Sequence, residues 1–163
     1  MERSFKNSKL RRGQVSIEFI LIVAAILVIV ITVLPFISRS AELNKGIAAA
    51  RDGAQFGAAM RGMGYSSEGG NPTGVIKIDR VEYTIIDNPS GLDNVSISIY
   101  VRGPTELNTN SVRGTIRTEA QRYVAYAMTG EWPSGATVTR ASRTGSYYIF
   151  APISCNSSTW IET

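Results

Sequence analysis

Gly13 stands directly after Arg11-Arg12 and directly before Gln14-Val15-Ser16-Ile17-Glu18, at the head of a long apolar run. Residues of these types in this order fit two kinds of chemistry. A glycine behind two arginines fits removal of a leader by a peptidase. A carboxylate just inside an apolar helix is costly in lipid, so Glu18 is expected to have a partner. Acid–base catalysis has candidates in Asp79, Glu82, Asp87 and Asp93, but their spacing does not distinguish them from solvated strand and turn carboxylates. The chain has no histidine, and Cys155 is its only cysteine. An intrachain disulfide is therefore excluded, as are most zinc sites and most triads built on imidazole. No cofactor, no metal site and no enzymatic activity are expected.

The charge distribution narrows the partners. Five of the 17 Lys/Arg and one of the 13 Asp/Glu fall in residues 1–13, so this leader carries the whole formal charge of +4 and the remainder is neutral. No basic patch is left to argue for nucleic acid. From Phe19 to Leu34 no charge interrupts the apolar run, and Ile17 through Ile37 supplies about the twenty residues that a spanning helix needs. Thr32 is tolerated there because its hydroxyl can bond back to its own helix. Pro35 is expected to kink or loosen the helix near the outer boundary. The leading cations stay on the cytoplasmic side and place the rest of the chain outside.

Three processing routes fit this arrangement. One is an uncleaved anchor. Another is a secretory signal removed at Ser38-Arg39-Ser40, although the apolar run is longer than the usual signal core of roughly 7–15 residues. The third is a cut after Gly13, which leaves the apolar helix in the mature chain. Only the third explains a glycine behind two arginines immediately before the apolar segment.

The run Gly13-Gln14-Val15-Ser16-Ile17-Glu18 resembles the class III signal peptide of archaeal type IV pilins, whose pattern is Gln-x-Ser-x-Glu followed by a hydrophobic helix. Leu often stands four residues after the Glu in that pattern; here the position is Ile22, with Leu21 beside it. The resemblance implies a prepilin peptidase that cuts between Gly13 and Gln14. It also implies a subunit held in the membrane before assembly, then stacked with copies of itself by an assembly ATPase and a membrane platform protein. In related pilins the matching Glu pairs with the new α-amino group of a neighbouring subunit. That amine is positive below a pKa of about 8. A lone carboxylate in a bundle of apolar helices would cost several kcal/mol, and the amine offsets this while fixing the axial register. Two plainer readings of Glu18 need no partner: snorkelling to the interface, or attraction to the positive end of the helix dipole. If Gln14 cyclises to a neutral lactam, Glu18 would instead accept hydrogen bonds from Ser16 or backbone amides.

The remaining elements follow from periodicity. A helix is expected to continue to about Gly62, with Ile47, Ala50, Ala54, Ala58 and Arg61 on one side. From Gln14 it would be roughly 70–75 Å long at about 1.5 Å per residue. Gly53 and Gly57 form a small-xxx-small pair beside Ala54, which allows close backbone approach. Each glycine costs about 1 kcal/mol in a helix interior, so the cluster implies tight packing. The protein's own sheet is the expected surface for most of these positions, with subunit contacts on the remaining face.

Ser66–Gly74 reads as the boundary turn before a head at residues 64–163. Val75 to Asp87 reads as a strand whose change of parity asks for a bulge near Asp79-Arg80. Val95, Ile97, Ile99 and Val101 alternate with polar residues as a second strand. Val112, Ile116, Ala120, Tyr123, Val124 and Ala127 fit a helix ended by Gly130, with Thr118 as an alternative start. Ala136–Ala141 and Ser146–Ala151 read as a hairpin, with Tyr147, Tyr148 and Phe150 in sheet packing. The expected fold is α+β: a long N-terminal hydrophobic helix on a small antiparallel sheet of about four strands, with a second helix beside it.

Asn94-Val95-Ser96 and Asn156-Ser157-Ser158 are candidate glycosylation sites on a chain that faces outward. Cys155 reads as an inert small residue. Two functions compete: the structural subunit of a surface filament, including a minor pilin or archaellin-like subunit, and a single-pass anchor carrying an extracellular binding domain. A helix within the head counts against archaellins, whose heads are all-β.

Overall fold

The computed structural model describes residues 3–64, 74–89, 91–103, 110–133, 138–139 and 141–157, with side chains from Ile17 onward. It divides into two compact units, Met1–Ser40 and Ala41–Thr163. Helix α1 is Arg3–Gly62, ending where the glycine-rich pattern predicts. The expected boundary turn at Ser66–Gly74 lies, apart from Gly74, outside the described residues.

In the first unit, every described side chain of α1 up to Arg39 is exposed. The Thr32 hydroxyl donates to the carbonyl oxygens of Val28 at 3.0 Å and Ile29 at 2.9 Å, so it brings no unsatisfied polar group to this surface. The helix passes through Pro35 without ending.

The second unit contains β1 (Lys77–Ile86), β2 (Asp93–Arg102), α2 (Asn110–Thr129) and β3 (Tyr148–Ser157). The class is α+β, with the docked part of α1 and all of α2 packed on a three-stranded sheet of order β1-β2-β3. Val95, Ile97, Ile99 and Val101 of the central strand point into the core, as their alternation requires. β1 pairs antiparallel with β2, and the register slips between Ile78 and Arg80, which leaves Asp79 as the bulged residue. The bulge lets Ile78 and Val81 both face the core despite their opposite parity.

The sheet differs from the expected one in two ways. Among the described residues it has three strands rather than about four, and β3 runs parallel to β2. The expected hairpin is replaced: part of Ala136–Ala141 lies outside the described residues, and Ala141–Arg143 forms a 3₁₀ turn. Thr139 builds that turn, its hydroxyl accepting from the Ser142 amide at 3.3 Å. Arg143 is buried, and its guanidinium donates to the Phe150 carbonyl at 3.2 Å. The Thr144–Ile149 bridge is isolated from the ladders. β2, α2 and β3 thus form a crossover unit, in which an intervening helix permits two adjacent parallel strands. Pro152 is accommodated because β3 is an edge strand and its register shifts there against β2.

α2 starts at Asn110 rather than Thr118 and ends before Gly130, whose φ of 77° closes it. Thr118 is internal, and its hydroxyl bonds back to the Gly114 carbonyl at 2.9 Å. The surface that Gly53 and Gly57 meet is α2, not the sheet. A Cβ on Gly53 would lie 2.6 Å from the Glu119 carbonyl oxygen and 2.8 Å from the Ala120 Cα; one on Gly57 would lie 2.9 Å from the Ile116 Cα. Ala50, Ala54 and Ala58 fill the core beside them. Arg61 closes the same helix pair, donating from Nε and Nη2 to the Thr115 hydroxyl at 2.9 and 2.7 Å.

Glu42 fastens the other end of the docked segment. Its carboxylate accepts from the backbone amides of Ser146 at 2.9 Å, Tyr147 at 3.0 Å and Tyr148 at 2.9 Å. A Cβ on Gly145 would overlap the carboxylate, so a larger residue there would push Glu42 away from these amides. Glu42→Ala leaves three amides without that acceptor and is expected to destabilise the head by about 2–4 kcal/mol. Thermal unfolding followed by circular dichroism checks this; an unchanged midpoint would contradict the role.

Candidate assembly site

The segment that sequence reasoning singles out for assembly is the exposed stretch of α1. Ile17–Gly62 includes a window long and apolar enough to cross a membrane, and 0% of that window is buried within the protein. Ile17, Phe19, Ile20, Leu21 and Ile22 are each more than half exposed. Apolar side chains left uncovered on this scale need lipid or other helices as solvent. Glu18 is also exposed, one residue into the described side chains, and has no hydrogen-bond or ion-pair partner among the described residues. Gly13, Gln14 and Ser16 lie within α1, and their side chains are outside the described residues.

The structure does not bring the other candidates to this place. Gly53, Ala54 and Gly57 are buried between α1 and the rest of the head. Asn94 is half-buried on the central strand, paired with Ile86 on one side and Ile149 on the other. Asn156 is exposed near the end of β3, and Ser158 of its sequon lies outside the described residues. Asp79 pairs with Arg102 at 3.2 Å and Glu82 with Arg80 at 2.8 Å. These carboxylates serve as charge partners along β1 and β2.

Cys155 faces a small cleft lined by Asn110, Arg113, Gly114 and Arg117. Burial pushes its thiol up to about 11 from 9.0, and the nearby charges of Arg113 and Arg117 only partly counter this. The thiolate is the reactive form, so Cys155 is expected to resist maleimide at pH 8 in the folded protein and to react after denaturation. Fast labelling of the native chain would contradict that. The folded state also holds this proton more tightly than the unfolded state. Its contribution to stability is therefore present below about pH 9 and is lost as pH rises towards 11.

Two features were missed in the sequence. One is the Glu42 clasp. The other is an exposed aromatic cluster in which Tyr123 packs tilted against Phe56 and edge-on to Trp132 at centroid distances of 5.8 and 5.1 Å, and Tyr126 meets Trp132 at 5.6 Å. The i, i+3 spacing of Tyr123 and Tyr126 was the available signal, since it places both on one side of a helix.

Residues 11–34 match the family model described as class III signal peptide. No curated protein and no solved structure matches the chain. The N-terminus is therefore that of a type IV pilin-like protein, the kind processed by prepilin peptidase. With its apolar helix, that signal directs the chain to the membrane or cell surface.

Proposed function

We propose that the chain is a structural subunit of an archaeal type IV pilus-like surface filament. The peptidase cuts between Gly13 and Gln14, and the mature subunit waits in the membrane with its head outside. An assembly ATPase acting through a membrane platform then moves it into the filament. The apolar part of α1 exchanges lipid for the helices of neighbouring copies, and Glu18 pairs with the α-amino group of a neighbour. Polymerisation, with no catalytic step, is the mechanism. The observation that carries this reading is the match to the processing signal over residues 11–34, which takes in most of an apolar helix segment that the protein itself leaves uncovered.

The test is electron microscopy of filaments sheared from cells that produce the chain, with their protein identified by mass spectrometry. Filaments built of this chain are expected. Cells that hold the processed chain in the membrane and never display such filaments would contradict the reading in favour of a membrane-anchored domain.

A further inference from the structure

Two apolar patches on the head are left partly exposed. The first is the aromatic cluster, in which Phe56, Tyr126 and Trp132 are 44%, 49% and 48% exposed. The second lies at the far end of β1. Tyr83 and Ile85 sit directly across from Ile97 and Val95 in the β1–β2 ladder, so they share the core face of the sheet. Ile97 and Val95 are fully buried, whereas Tyr83 is 48% exposed and Ile85 39%. The core covers β1 as far as Val81 and leaves its far end open.

The patches lie on opposite sides of the head. Strand order places β1 at one edge of the sheet and β3 at the other, and α2 packs on β3. The docked part of α1 gives the same answer. Phe56 meets Tyr123 of α2, and the Gly53 and Gly57 positions abut it. Gln55, Ala58, Ala59 and Gly62 instead line a cleft with the approach to β1. At about 3.6 residues per turn these two sets occupy nearly opposite flanks of α1.

The cationic leader orients every copy the same way across a membrane. A contact between like patches closes as a two-fold dimer, so one that repeats from copy to copy along a filament joins two different patches. Such a contact is heterologous, and when its rotation does not close it builds an open helical array. We propose that the Phe56–Tyr126–Trp132 cluster of one copy seats on the Tyr83–Ile85 end of β1 in the next. This contact rests on the filament reading and adds a head-to-head interface to the helix bundle. Trp and Tyr are the side chains most enriched among residues that dominate interface energy, and each patch supplies at least one.

The experiment uses full-length chain carrying Cys155→Ser, with Tyr83→Cys, Trp132→Cys or both, in filaments treated with a short bis-maleimide. Both new positions are about half exposed, so folding tolerates the changes. The doubly substituted chain is expected to give a ladder of covalent multimers with loss of monomer, and each single variant is expected to stay monomeric. Covalent dimers from either single variant would overturn the pairing, because they would mean like patches meet. So would intact filaments of the double variant that remain monomeric or couple only to another protein. Either result leaves the filament function standing. If the unsubstituted chain forms no filaments, the function and this contact both fail.

Discussion

Replacing Gly53 with alanine is expected to lower the stability of the head by about 2 kcal/mol, although alanine is the better helix former. The new methyl would lie 2.6 Å from the Glu119 carbonyl oxygen and 2.8 Å from the Ala120 Cα, both backbone atoms that no rotamer change can move aside. α1 and α2 must separate, which loosens Ala54, Ile116 and Ala120, all fully buried. For a domain of this size the loss corresponds to a fall of about 8 °C in the melting midpoint. Gly114 provides the matched control. It is also a glycine inside a helix, but nothing stands within 4 Å of where its Cβ would be. Gly114→Ala is expected to raise stability by up to about 1 kcal/mol through propensity alone. Opposite signs at the two positions, read by thermal or denaturant unfolding, distinguish close helix approach from a general effect of removing glycine. Equal signs would contradict the packing account.

Glu18→Ala is expected to reduce assembled filament on the order of tenfold or more, while processed subunit accumulates in the membrane. Truncating one member of a buried ion pair typically costs about 2–5 kcal/mol, and each 1.4 kcal/mol is about a factor of ten in association. Alanine removes the charge along with its partner's acceptor, so the neighbour's α-amino group becomes the unpaired ion. Glu18→Gln separates charge from hydrogen bonding: it keeps an acceptor and should restore assembly only if the neighbour's amine has been neutralised. Filament yield is measured by shearing and immunoblotting against the membrane fraction. Normal filaments from Glu18→Ala would remove the role assigned to that carboxylate.

The legible parts of the fold were those fixed by local pattern. β2 was plain because one of its faces is buried along its length, so Val95, Ile97, Ile99 and Val101 alternate without error. The bulge was legible from the change of parity between Ile78 and Val81. Strand partners were not, because periodicity reports which face of a strand is buried and not which strand lies beside it. The chain around Arg143 looked like a hairpin turn, yet Ala141–Arg143 forms a 3₁₀ turn and β3 runs parallel to β2. A helix pattern between two strands was the available sign of a crossover.

The candidate site divides in the same way. The processing signal is read by an enzyme from a linear stretch, so Gly13 through Glu18 carry it in order. Glu42 gave no such sign, because the amides it holds lie 104–106 residues away in sequence. The aromatic cluster draws on α1, α2 and the segment after it, and only folding brings them together.

The central claim is that a cut after Gly13 releases a helix destined for other copies of itself. Intact-mass and peptide mapping of the purified protein tests it most directly. A mature chain beginning at Gln14, in free or cyclised form, is the predicted result. Recovery of residues 1–13 on every copy, or of chains beginning at Ala41, would contradict it.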